Sequence, residues 1–258
     1  MEYTELHVAD YVAELVLNRP DTRNAMTAAM GREIRDVVAE VNARDDVRAV
    51  IVRGAGKSFS AGGDLDMLGQ RSADTADGNR VAMRAFYGLY LSIRDLHVPS
   101  IAAINGHAIG AGACFAVACD LRYASAGAKL GFTFVKLGLH PGMGATHLLP
   151  RLVGPAVAAD LLLTGRILEA AEAERMGLVN GVGDDAVALA RDKARAIAGC
   201  APIAVAQTKA SLRGALDRTL EDSLEGEARC QAVDYGTEDL AEGIAAVRAK
   251  RAPVFRGR

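Results

Sequence analysis

The sequence predicts an α/β fold in which parallel strands are joined by helices. Short apolar runs rich in β-branched residues alternate with helical patterns in the first half of the chain, as expected when helices cross over between parallel strands. Gly-rich turns separate these elements. After Gly154 strand-like runs almost vanish and helical patterns continue. The 258 residues suffice for one large domain with an appendage.

Hydrophobic periodicity places the elements of the first half. An apolar run that ends at the break Asn18-Arg19-Pro20-Asp21 predicts a strand, and the apolar residues between Met30 and Val41 recur with a helical period. The predicted elements are the strands Tyr11–Leu17, Val47–Arg53 and Ser100–Asn105 and the helices Thr27–Ala43 and Ala113–Cys119.

The second half predicts a layer of helices. Pro155 suits the first position of a helix, where its missing N–H costs little. The predicted helices are Ala156–Leu163, Ala170–Met176, Ala186–Ala198, Pro202–Leu216 and Leu220–Tyr235. Such a layer suggests an assembly surface.

Composition argues against several classes of protein. Lys and Arg number 30 and Asp and Glu 32, so no basic face for nucleic acid is expected. The start of the chain is polar and acidic and no apolar run reaches membrane-spanning length, so we expect neither a signal peptide nor a membrane partner. The four cysteines have no CxxC spacing, which argues against a zinc site or a disulfide framework and favours a reducing, cytoplasmic location.

The first candidate site segment is the turn Lys57–Leu65, which follows a strand. The small residues Ala61, Gly62 and Gly63 allow a ligand to approach the backbone and leave main-chain N–H groups free to donate. An ordinary tight turn is the alternative.

The second candidate segment, Ile104–Ala113, runs from a strand into a helix. A turn of small residues at a helix N-terminus gathers unpaired N–H groups and the positive end of the helix dipole. If it faces the first turn, the two would form an oxyanion hole that polarises a thioester carbonyl. A dinucleotide-binding turn is the alternative, but Gly110-Ala111-Gly112 lacks the third glycine and the following acidic residue of that fingerprint.

A third segment, Lys136–Thr146, has the glycine and proline content of a shaped loop beside a ligand or a subunit contact. It contains His140, which precedes Pro141 and is therefore biased towards an extended backbone. His140 is either a structural histidine or a group that titrates near neutral pH.

These segments together resemble the crotonase (enoyl-CoA hydratase/isomerase) superfamily over nearly the whole chain. The matching motifs, in the family's order and spacing, are Arg23–Met26, Phe59–Leu65, Asn105–Gly112, Cys119-Asp120, Gly138–Gly144, Leu163–Gly165, Ala173–Asn180, Thr237–Asp239 and Lys250–Phe255. The resemblance implies a spiral of ββα turns in residues 1–195 and a C-terminal helical trimerisation region in residues 196–258. It also implies a homotrimer or homohexamer.

The resemblance further implies roles for individual residues. The N–H groups of Gly63 and Ala111 would form the oxyanion hole. Arg23, Lys57 and a neighbouring subunit's Lys250 would lie near the phosphates or adenosine of coenzyme A. The residues expected to complete the binding surface for the acyl-CoA thioester are Ala25, Ala61, Asp64 and Leu65. Coenzyme A enters as part of the substrate, and no other cofactor and no metal is implied.

The sequence departs from the family at the two catalytic glutamates. Their positions hold Cys114 and Phe134, and Asp120 is the only acidic residue between Leu96 and Ala159. Paired carboxylates suit hydration because the environment can keep one ionised and the other protonated, so ordinary hydration and the family's isomerisation are both doubtful. Asp120 is expected to be structural. Three residues are candidate proton carriers: Asp66, His140 and Cys114. The alternative to a catalytic role is a solvent-exposed carboxylate for Asp66, a structural histidine for His140 and an inert buried thiol for Cys114.

Three functions follow as hypotheses. The first is an enzyme that processes an acyl-CoA thioester through an enolate or tetrahedral oxyanion, by cleaving a β-dicarbonyl C–C bond, by decarboxylation or by an unusual hydration. The second is a catalytically silent acyl-CoA-binding protein, suggested by the loss of both glutamates. The third is a nicotinamide-dependent oxidoreductase, which rests only on the Gly-rich turns.

Overall fold

The computed structural model describes all 258 residues and contains two β-sheets surrounded by helices. The strands are β1 Thr4–Ala9, β2 Val12–Leu17, β3 Ala49–Gly54, β4 Ser58–Ser60, β5 Ser100–Ile104, β6 His107–Ile109, β7 Leu121–Ser125, β8 Lys129–Gly131, β9 Ile167–Glu169 and β10 Gly181–Gly183. The helices are α1 Ala28–Asn42, α2 Leu65–Gln70, α3 Ala76–Leu91, α4 Ala111–Ala118, α5 Ala145–Val153, α6 Pro155–Thr164, α7 Ala170–Arg175, α8 Ala186–Ala198, α9 Pro202–Gly214, α10 Leu220–Asp234 and α11 Glu238–Ala249.

The chain alternates between the two sheets as it advances. The larger sheet has the order β1-β2-β3-β5-β7-β10 and the smaller one the order β4-β6-β8-β9. All neighbouring pairs are parallel except β1 with β2 and β8 with β9. Each of β3, β5 and β7 is followed by a strand of the smaller sheet and then by helix, so the ββα unit repeats. The predicted α/β fold with a spiral of ββα turns is confirmed.

The helix predicted at the start of the chain shows how the core is built. Thr27 caps α1 by accepting a hydrogen bond from the backbone N–H of Met30, which satisfies one of the otherwise unpaired donors of the first turn. The apolar residues of α1 that recur with helical spacing are all buried: Met30, Ile34, Val37, Val38 and Val41. Burial of each such side chain stabilises the fold by about 1.5–3 kcal/mol.

Several elements differ from the predictions. The first predicted strand begins at Val12, because Tyr11 lies in the β1–β2 turn with φ 63°. The helix predicted at Ala113–Cys119 begins at Ala111 and ends at Ala118. The sequence patterns missed β1, whose residues are mostly exposed or half-buried, and β7. They also missed the five strands of three residues, which are too short to show alternation. They also missed the helices α2, α3, α5 and α11.

The C-terminal helices pack on the core through few side chains. Helix α8 packs on the larger sheet through four alanines: Ala186, Ala190, Ala194 and Ala198. The predicted boundary between the two regions, at 195/196, therefore falls inside this helix, and the division into two regions stays a prediction. Helix α10 buries no residue. None of the helices combines the length and the apolar character needed to cross a membrane.

Candidate active site

The first candidate turn is held in place by the buried side chain of Asn24. Its Nδ2 atom donates to the carbonyl oxygens of Ala55, Ser58 and Phe59 at 3.0, 2.9 and 3.2 Å. Its Oδ1 atom accepts from the N–H of Arg19 at 2.9 Å. Asn24 thus ties the Arg23–Met26 motif to β4, which leads into the turn.

Backbone hydrogen bonds on both sides of Gly63 leave its own N–H free. Met26 N–H donates to Gly62 O at 2.7 Å, and Asp64 N–H donates to Met26 O at 3.1 Å. The N–H of Gly63 has no acceptor within the chain. Since buried or half-buried N–H groups are rarely left unpaired, this one is available to a ligand.

The second candidate turn ends at the first residue of α4. Gly110 has φ 54° and ψ −122°, a conformation that glycine tolerates and other residues rarely adopt. Its N–H donates to Gly131 O at 2.7 Å, which fixes the turn to β8. The N–H of Ala111 begins the helix and therefore has no intrahelical acceptor. It lies at the positive end of the helix dipole.

The two turns are in direct contact. A Cβ atom added at Gly62, whose φ is +92°, would lie 2.6 Å from Ile109 O and 3.3 Å from Ala111 N. Only glycine permits this approach, and Gly63 and Ala111, next to the contact on either turn, both line the same cavity. Two backbone N–H donors can stabilise one developing oxyanion.

That cavity has a volume of about 1060 Å³ and is the size of a small-molecule site. Most of the predicted site residues line it: Gly63, Ala111, Asp66, His140, Arg23, Ala25, Ala61, Asp64 and Leu65. Lys57 and Lys250 do not line it. Both are exposed, and the predicted contact of Lys250 involves a neighbouring subunit and stays a prediction.

The two positions of the missing glutamates differ in their surroundings. Cys114 is 1 % exposed and does not line the cavity, and burial raises the pKa of its thiol well above the usual value. It is therefore a neutral packing residue rather than a base. Phe134 does line the cavity and makes this wall apolar.

The acidic and basic candidates have distinct environments. Asp66 and His140 are exposed, and their side chains make no hydrogen bond or ion pair. Asp64 caps α2 and lies 3.6 Å from Arg19, so its carboxylate is already engaged. Asp120 accepts from the N–H and Oγ of Ser100 and from Lys209 Nζ at 2.7–2.8 Å, which confirms that it is structural.

Helix α3 contributes lining residues that the sequence did not indicate. Met83, Phe86 and Tyr87 all face the cavity from this helix, as do Thr133 and Met143 from the loops opposite. No motif marks α3. The signal that would have indicated this helix is the recurrence of apolar residues at helical spacing within 76–91.

The fold and the site define a class: ββα-spiral proteins in which two contacting turns, each with an unpaired backbone amide, line one cavity. The comparisons with known proteins then give the family. The enoyl-CoA hydratase/isomerase family model matches residues 8–258, and the chain belongs to this family.

Individual relatives match the chain over nearly its full length. The chain is 37% identical over 252 residues to the protein named probable enoyl-CoA hydratase echA8 of Mycobacterium tuberculosis, covering 96% of this chain and 95% of that protein. It is 37% identical to the (E)-benzylidenesuccinyl-CoA hydratase of Thauera aromatica, covering 98% of both. A crystal structure of enoyl-CoA hydratase from Bacillus anthracis superimposes with a TM-score of 0.93 at 33% identity, over 99% of this chain and 100% of that one.

Proposed function

We propose that the protein is an enzyme that acts on acyl-CoA thioesters and stabilises an enolate or tetrahedral oxyanion with the N–H groups of Gly63 and Ala111. The observation that supports this is the contact of Gly62 with the Ile109–Ala111 backbone, together with the presence of Gly63 and Ala111 in the lining of one cavity. Donors fixed before the reaction need no reorganisation as charge develops. A thioester carbonyl placed against this wall is therefore polarised towards the enolate.

Proton transfer in this proposal does not use the family's glutamates. Asp66 and His140 line the exposed part of the cavity and carry protons between it and the solvent. Arg23, one of the basic residues that line the cavity, binds the anionic part of coenzyme A, and Lys57 and Lys250 extend this contact outside the cavity. Coenzyme A is part of the substrate and no resident cofactor is required.

A catalytically silent acyl-CoA-binding protein is the second candidate. The observation that favours it is that neither Cys114, buried outside the cavity, nor Phe134 offers a carboxylate. A protein that binds the acyl-CoA but has no group to transfer protons would have affinity for the thioester without accelerating a reaction of it.

One experiment separates the two functions. Purified protein is mixed with crotonyl-CoA, a β-ketoacyl-CoA and malonyl-CoA in D2O, and products and α-deuterium are measured by mass spectrometry beside an authentic hydratase. Turnover or α-exchange above background, lost in Gly62→Ala, supports the enzyme. Tight binding of every thioester with neither turnover nor exchange supports the silent protein instead.

We also propose that the chain forms a homotrimer or homohexamer through residues 196–258. Many large apolar side chains of this region are exposed in the single chain: Leu212, Leu216, Leu220, Leu224, Val233, Tyr235, Ile244, Val247 and Val254. Apolar surface of this extent is characteristic of protein interfaces. Light scattering after size exclusion measures the state, and a monomer at micromolar concentration contradicts the proposal.

A further inference from the structure

The hydroxyl group of Tyr87 is an unpaired protic group inside the cavity. Tyr87 lines the cavity from α3, and its side chain is half-buried. Its Oη atom makes no hydrogen bond within the chain, whereas its neighbour Tyr90 donates to Thr27 O at 2.7 Å. Buried tyrosine hydroxyls usually find a partner, so this one is available to a ligand.

The position of the Tyr87 hydroxyl is fixed by the loop that carries His140. A Cβ atom added at Gly142 would lie 2.5 Å from Oη and 2.8 Å from Cζ of Tyr87. Gly142 therefore makes room for the hydroxyl. Tyr87 is also close enough to Cys114, one turn along α4 from Ala111, to be affected by it electrostatically. Burial, with a smaller effect of Cys114, raises the pKa of Tyr87 and keeps it protonated.

Other protic groups of the cavity are poorer donors to a bound acyl group. Asp66 and His140 are exposed, and Asp64 is engaged as a helix cap. Thr133 also has an unpaired hydroxyl, but an aliphatic hydroxyl is a far weaker acid than a phenol. The ring of Phe86 lies 6.5 Å from that of Tyr87 between centroids, and the lining also includes three further apolar side chains that carry no ionisable group: Met83, Phe134 and Met143. This part of the cavity thus offers an acid and no base.

We propose that Tyr87 is the proton donor to an enolate formed by loss of CO2 from a malonyl-type thioester. The inference rests on the proposed oxyanion site. Decarboxylation is the enolate-forming reaction that needs no base: the bond to the carboxylate carbon breaks, its electron pair forms the enolate and CO2 leaves. The Oη–H bond of Tyr87 then breaks as a C–H bond forms at the α-carbon from the enolate pair, and the thioester carbonyl re-forms. The phenolate regains a proton from solvent.

The test uses methylmalonyl-CoA in D2O with the wild type, Tyr87→Phe and Thr133→Val. We expect the wild type to yield propionyl-CoA with one deuterium on a single face of the α-carbon. Tyr87→Phe should lower kcat by about 10²-fold, the smaller effect typical of losing a positioned acid, with KM within threefold, and should place deuterium on both faces. Thr133→Val should keep the stereochemistry. If Tyr87 had only a structural role, Tyr87→Phe would not randomise the face of the α-carbon that receives deuterium.

A second variant tests the contact with the loop. Gly142→Ala has no unfavourable φ to adopt, so its effect comes from displacing the Tyr87 ring, and it should lower kcat as Tyr87→Phe does. Stereospecific, undiminished decarboxylation by Tyr87→Phe overturns the assignment of Tyr87. Turnover of other thioesters without decarboxylation overturns the inference and leaves the proposed function standing. No turnover or α-exchange with any thioester removes the proposed function itself.

Discussion

Gly62 lies so close to Ala111 that a Cβ atom at position 62 would be 3.3 Å from the Ala111 amide nitrogen. The same atom would be 2.6 Å from Ile109 O, and the φ of Gly62 is +92°. The close approach of the two turns that carry Gly63 and Ala111 therefore depends on the absence of a side chain at position 62.

Gly62→Ala is therefore expected to separate the two donors. Turnover should fall by about 10²-fold or more, the effect of losing one oxyanion donor. The strained φ should lower the free energy of unfolding by about 1–3 kcal/mol. Steady-state kinetics and urea denaturation measure both. Gly88→Ala is the control, since nothing lies within 4 Å of its added Cβ atom on α3. Equal turnover in the two variants would show that the contact does not matter for catalysis.

Cys114→Ala is expected to leave turnover within twofold of the wild type. Its thiol is buried away from the cavity and is held neutral by burial. The substitution should lower the free energy of unfolding by about 1 kcal/mol through lost apolar contact. Cys119→Ala, equally buried on the same segment, is the control. A loss of turnover in Cys114→Ala alone would restore this thiol as a catalytic candidate.

The predicted and observed sites differ in ways that have physical causes. The two turns were predictable because they depend on local backbone features, small residues after a strand and before a helix, whereas the choice of Gly63 and Ala111 within them came from the family resemblance. Asn24 and Gly62 act through partners distant in sequence, so no local pattern marks their hydrogen bonds and contacts. The fold was predictable in outline for the same reason: long periodic elements such as α1 are encoded locally, whereas strands of three residues form only because neighbouring strands pair with them.

Local sequence patterns also failed to indicate Tyr87 as a residue of the site. Its helix lies in 76–91, where two glycines and scattered polar residues weaken the apolar periodicity, so its register could not be fixed. The contact with Gly142 joins helix α3 to a loop that is far from it in sequence. Lys57 is the opposite case: the motif around it is local and clear, but its exposed side chain does not line the cavity.

Asp120 and Lys209 should be strongly coupled in stability. Lys209 is 7% exposed, and its Nζ atom lies 2.8 Å from Asp120 Oδ2 and donates to Val98 O. Asp120→Asn leaves a buried charge without its counter-ion and should lower the free energy of unfolding by about 3 kcal/mol. The double variant with Lys209→Met should recover much of this loss. Urea denaturation of the four proteins gives the coupling energy, and simple additivity would contradict the coupling.

Glu242 should stabilise the C-terminal segment in a pH-dependent manner. Hydrogen bonds from Arg251 and then from the N–H of Val254 lower the pKa of its carboxyl from 4.5 to about 2. A lowered carboxyl pKa gives stability that is fully present above pH 4.5 and is lost as pH falls towards 2. The stability difference between wild type and Glu242→Gln should therefore shrink from pH 6 to pH 3. Glu227→Gln, which removes an exposed and unpaired carboxylate, is the control and should show no such trend.

Arg23 should contribute more to coenzyme A binding than Lys57. Arg23 is held with φ 56° in a turn whose carbonyl accepts from the Ala61 N–H at 2.9 Å, and it lines the cavity. Its guanidinium makes no ion pair within the chain and is free to donate to a phosphate. Losing one charge-assisted hydrogen bond costs about 1.5 kcal/mol, so Arg23→Gln should weaken binding of a non-reactive CoA thioether about tenfold.

The matched variant and a truncated ligand make this test specific. Lys57→Gln should change the dissociation constant by less than threefold, because its side chain lies outside the cavity. A pantetheine thioether without the nucleotide should bind the wild type and Arg23→Gln equally, since the phosphates are absent. Calorimetric titration measures all of these. A larger effect of Lys57→Gln would place the phosphates outside the cavity, and an Arg23 effect that persists with pantetheine would assign Arg23 to the acyl end instead.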